Sequence, residues 1–121
     1  MDNDMDIKTF LYTELPLGKA NEHKVFCSDS HVEVEIVNAP KLSLSVIVAR
    51  DEQGYRFTYD SLDNTQGHYY GSSAWPSLYD APHSSKDYIY TFLDMICEKR
   101  PVFAKHIKAA VDASRQRSLF G

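Results

Sequence analysis

His31-Val32-Glu33-Val34-Glu35-Ile36-Val37 is the stretch whose reading decides the fold. Val32, Val34 and Ile36 fall on one side of an extended chain, and His31, Glu33 and Glu35 fall on the other. Strict period two, with the charges on one face, predicts a half-buried antiparallel strand. Asn38 and Pro40 close it. Lys41 to Arg50 follows, with Leu42, Leu44, Val46 and Val48 on one face and Ser43, Ser45, Ile47 and Ala49 on the other. Apolar residues on both faces predict a central, covered strand. Asp51-Glu52-Gln53-Gly54 is a hairpin loop in which Gly54 supplies a positive φ. Tyr55 to Tyr59 returns, with Tyr55, Phe57 and Tyr59 on one face.

Outward from this meander the period changes. Asp60 to Gly67 is a polar turn, His68 to Ser72 reads as a last strand, and Gly71 to Pro82 is a loop holding Trp75 and Pro76. Ser84-Ser85-Lys86-Asp87 has the form of a capping box with Ser84 as N-cap; Ile89, Phe92, Leu93 and Ile96 follow at helical spacing. Pro101 ends that helix and opens another, whose stripe is Phe103, Ile107, Ala110 and Val111. On the N-terminal side, Thr9 to Leu15 reads as a strand from the β-favouring Phe10, Tyr12 and Thr13. Lys24 to Cys27 reads as a short strand or edge piece. The expected class is α+β: an antiparallel β-meander of four to five strands followed by two C-terminal helices packed on one face. The expected division is a flexible acidic N-terminus over 1–8, a single α+β domain over 9–115 and a C-terminal peptide tail over 116–121.

With 121 residues, 43% hydrophobic and 25% charged, the chain has the size and composition of one folded domain. No apolar run approaches the roughly 20 residues that span a bilayer. Met1 to Asp6 carry three aspartates and no positive charge, unlike a secretory signal, so the expected location is the cytoplasm. Cys27 and Cys97 are far apart and form no CxxC, which predicts free thiols rather than zinc ligands or a redox pair. The net charge of -4 hides a division: residues 1–83 hold six Lys/Arg and thirteen Asp/Glu, residues 84–121 seven and four. A body of net -7 repels phosphate, so no direct nucleic-acid binding is expected.

No catalytic constellation emerges from the residue types. The five histidines form neither HExxH nor an HxH pair. His31, Glu33 and Glu35 project from one strand face, the arrangement of a weak cation site, but a solvated strand face is the better account of them. His68, Tyr70 and Ser72 alternate in the manner of a pocket wall without a Gly-x-Ser-x-Gly turn beside them. Gly71-Ser72-Ser73 lacks the Gly-Lys-Ser/Thr ending of a phosphate loop. Tyr55, Phe57 and Tyr59 could stack on bases, yet core packing explains them better in an acidic body. The expectation is a non-enzyme with no metal, no cofactor and no membrane partner.

The tail is different. Gln116-Arg117-Ser118-Leu119-Phe120 resembles the pentapeptide by which many bacterial replication and repair proteins dock on the DNA sliding clamp. Gln116, Ser118, Leu119 and Phe120 match that pattern, and Arg117 stands where an aliphatic residue is usual. The resemblance implies that Leu119 and Phe120 fill an apolar pocket as paired anchors while Gln116 fixes register by hydrogen bonding. The competing expectation is that Leu119 and Phe120 continue the stripe of the second helix. The segment from Tyr55 to Ile89, together with the tail, also resembles small accessory domains of phages and mobile elements, from which no catalytic residue carries over.

The first functional expectation is therefore an interaction module docking on the bacterial sliding clamp, in a phage, mobile-element or replication and repair context. The alternative is a phage- or plasmid-encoded anti-defence protein that inhibits a host nuclease complex by surface blockade. That alternative would use an acidic surface around Glu33, Glu35, Asp51, Glu52, Asp60 and Asp63.

Overall fold

A computed structural model describes residues 4–116. In chain order the elements are β1 (Asp4–Met5), α1 (Ile7–Tyr12), β2 (His31–Ala39), β3 (Leu42–Asp51), β4 (Gly54–Asp63), β5 (Tyr70–Ser73), α2 (Tyr88–Lys99) and α3 (Ala104–Arg115). The five strands lie in sequence order in one sheet. β2 to β5 are antiparallel neighbours and β1 pairs parallel to β2. The protein is thus α+β, with the expected meander followed by two C-terminal helices.

The helices cover one face of the sheet. Leu44, Val46 and Val48 of β3 meet Ile89, Leu93 and Ile96 of α2 and Ile107 of α3 in one core, joined by Phe10, Val34, Phe57 and Phe103. Alternation along β2 breaks at a bulge between Glu35 and Val37. Val37 then lies opposite Leu44, so Ile36 and Val37, adjacent in sequence, both pack against the core. β3 is central, as its two apolar faces require. Ile47 and Ala49, which turn away from the helices, are 3% and 0% exposed. Their cover is non-regular chain: Phe26 is buried, its N–H donates to Pro76 O, and Val25 bridges Ser77.

The β3–β4 hairpin has a two-residue loop, since Asp51 pairs Gly54. Gly54 has φ +139°, and an added Cβ there would stand 2.5 Å from His83 O.

β4 runs on to Asp63, so residues 60–63, expected in a polar turn, are paired strand, and three further expectations change. Residues 9–12 are helical rather than extended: Asp6 caps α1 by accepting from Thr9 N at 2.7 Å, and Ile7 and Phe10, one turn apart, are buried. Lys86 Nζ donates to Thr13 O at 2.6 Å and to Phe10 O at 3.3 Å, satisfying carbonyls at the other end. Residues 4–8, assigned by sequence to an acidic N-terminal tail, belong to β1 and α1. The capping box is also displaced. α2 begins at Tyr88 behind a turn in which Ser85 Oγ accepts from Asp87 N, and Ser84 caps nothing. His83 stacks on Tyr88 at 3.4 Å between centroids and exchanges two backbone hydrogen bonds with Tyr55, which sets where the helix can begin.

Candidate functional site

The C-terminal end of α3 is fixed by α2. Ser114 Oγ donates to Val111 O at 2.7 Å, so in its 2.9 Å contact with Tyr90 the phenol O–H is the donor. The Arg115 guanidinium lies 4.3 Å above the Tyr90 ring. Helical conformation stops there. Gln116 is exposed, with φ −68° and ψ 129°, so the helix does not run on through the first residue of the pentapeptide. Ser118, Leu119 and Phe120 lie outside the described residues.

The six acidic residues of the alternative reading fall in three places. Glu33, Glu35 and Asp60 occupy register positions on the sheet face turned from the helices, the last two both opposite Ser45. Glu52 is exposed at the β3–β4 loop, whereas its neighbour Asp51 is held by Arg56 at 2.9 Å. Asp63 lies toward the helix layer, accepts from Thr65 N and Oγ1, and pairs with Arg100 at 3.6 Å. These Thr65 hydrogen bonds, with Arg100 assisting, hold its carboxyl below the usual range. They do not make one continuous surface.

Tyr55, Phe57 and Tyr59 face the helices. Phe57 is ringed by Phe10, His83, Tyr88 and Phe92 at 5.2 to 6.5 Å, so this cluster belongs to the core. His68 is exposed in the turn before β5, Tyr70 is exposed and Ser72 half-buried on β5, and the groove that Tyr70 lines includes neither of the other two. Among the described residues no group of three or more His, Cys, Asp or Glu is placed to hold a metal ion, and no helix is long and apolar enough to cross a membrane.

Two arrangements were not legible in the sequence. Arg56, in an alternating strand, is 2% exposed. Its Nη1 donates to Asp80 O at 2.6 Å and its Nη2 to Asp51 Oδ2 and Gln53 Oε1, tying the hairpin loop to the 78–80 segment. Beside this junction lies an open cleft of about 740 Å³, walled by Leu17, Lys19, Glu52 and Leu78 over Phe26. His31 is the other: both ring nitrogens are buried and meet no hydrogen-bond partner among the described residues, and the ring packs edge-on against Trp75 at 5.2 Å. No signal in the sequence separates these two side chains from solvated strand residues, because the loops that bury them are remote along the chain. No protein-family model matches the chain, nor does any curated protein or solved structure.

Proposed function

We propose that this protein is a non-enzymatic tether to the bacterial DNA sliding clamp, docking through Gln116, Ser118, Leu119 and Phe120. The observation that carries the reading is the pentapeptide Gln116-Arg117-Ser118-Leu119-Phe120 itself. Its support from the fold is local: Gln116 is exposed and extended at the end of a helix that Tyr90 anchors to the body. The register-setting glutamine is therefore not consumed by its own domain. The Leu119 and Phe120 side chains supply the apolar burial, about 1.5–3 kcal/mol each when fully enclosed. Ordering the peptide on binding offsets part of this, which places a single copy in the micromolar range.

Calorimetric titration of the purified full chain into a bacterial sliding clamp should give a Kd on the order of 1–100 µM. Changing Leu119→Ala together with Phe120→Ala should weaken it by at least about a hundredfold, as loss of two paired anchors does. A clamp that takes up no intact chain, or that binds the double variant equally well, overturns the reading.

A further inference from the structure

Residues 64–79 contain no Asp, Glu, Lys or Arg in a chain that is one-quarter charged. They are nevertheless surface: Tyr69, Tyr70, Trp75, Leu78 and Tyr79 are all exposed, Tyr69 by 72% and Tyr79 by 77%. Exposed Tyr and Trp without Lys, Asp or Glu mark interface centres, and Tyr with Ser and Gly marks antibody-type contact loops, where stiff aromatic side chains give contact area at little entropic cost.

The same stretch contains β5, an outer strand of the sheet. One side of β5 pairs with β4; along the other no further strand runs among the described residues. An edge of this kind is ordinarily blunted by a charge, a proline or a bulge, and Tyr70-Gly71-Ser72-Ser73 has none of these. Beside it a groove of about 400 Å³ is lined by Tyr70, Pro101 and Val102, with Asp63 and Arg100.

A strand edge is completed by another strand. Two copies meeting about a two-fold axis bring like residues together, so a charged edge opposes its own pairing. β5 and both its flanks are uncharged, which removes that obstacle for a protein whose net charge otherwise sets copies against each other. The opposite end of the sheet contrasts with this, since β1 is two residues long and carries Asp4 with Asp6 directly after it. We propose that β5 is a self-association edge. Two copies of the chain pair β5 to β5, antiparallel, joining their sheets and covering Tyr69, Tyr70 and Val102. The pairing does not depend on clamp docking. Four residues of strand make a small contact, so the dimer is weak, with a Kd on the order of tens to hundreds of micromolar.

Sedimentation velocity of the full chain from about 10 µM to about 1 mM tests this. The wild type should pass from a 13.8 kDa species to one of twice that mass. Tyr70→Lys and, separately, Val102→Lys should each weaken association by at least about tenfold, by placing like charges across the axis. Tyr70→Phe should retain association, and Lys8→Glu, exposed on α1 at the β2 end of the sheet, should leave it unchanged. Thermal melts in parallel confirm that each variant folds, and backbone amides of 70–73 should exchange more slowly as wild-type concentration rises. A wild type that stays monomeric over the whole range overturns the proposal. So does a dimer that neither lysine weakens, or one that leaves the 70–73 amides unprotected.

Discussion

Arg56 illustrates how far one side chain can be committed by its surroundings. A guanidinium 2% exposed is tolerable because oxygens from the hairpin loop and the 78–80 segment accept hydrogen bonds from both Nη groups, although Nε meets no partner among the described residues. Arg56→Ala removes a buried side chain and leaves the half-buried Asp51 and Asp80 oxygens without their donor, and should cost about 2–3 kcal/mol in urea unfolding. Arg56→Lys should recover only part of this, since a single ammonium cannot reproduce a planar fork. His31 is committed in the opposite sense. Burial lowers its pKa below the ordinary 6.5, with Asp29 acting the other way. The unfolded chain then takes up a proton more readily than the folded one. Stability is complete above pH 6.5 and falls as the pH drops through the folded-state pKa. A urea midpoint series from pH 8 to pH 5 should show that fall, and His31→Phe should flatten it.

The elements differ in how much of each was written locally. β2, β3 and β4 were legible because period-two alternation follows from strand geometry alone, and α2 and α3 because their stripes run for several turns. α1 carries no such signal, because six residues are too few to display a helical period, and Phe10, Tyr12 and Thr13 favour strands when taken singly. Its stability comes from the Asp6 cap and from Lys86, far away in sequence. Asp6→Ala should therefore cost about 1 kcal/mol, measured as a lower urea midpoint with unchanged slope. Gly54 was legible as a turn residue, but its second constraint was not. Alanine there meets both an unfavourable positive φ and the His83 carbonyl, and Gly54→Ala should lower stability by about 2 kcal/mol or more.

At the scale of the molecule the sheet is a partition. On one side lie the helices, with Phe103 buried between them and the sheet; on the other lie the loop segments that close over Phe26, Ile47 and Ala49. Phe26→Ala and Phe103→Ala should each cost about 3–5 kcal/mol. Acting on opposite faces, they should add to within about 0.5 kcal/mol when combined in a stabilised background. A large departure from additivity would mean that the two layers are coupled through the sheet. By itself the amino-acid sequence determined the meander, the two C-terminal helices, the centrality of β3 and the presence of a clamp-like peptide, because each is recorded in residues that are neighbours along the chain. Only the tertiary structure decided that Arg56 and the His31 ring nitrogens are buried, that the acidic residues are dispersed, and that an uncharged aromatic stretch coincides with an open strand edge. Those facts depend on which remote segments close over which face, and local periodicity carries no information about a partner forty residues away.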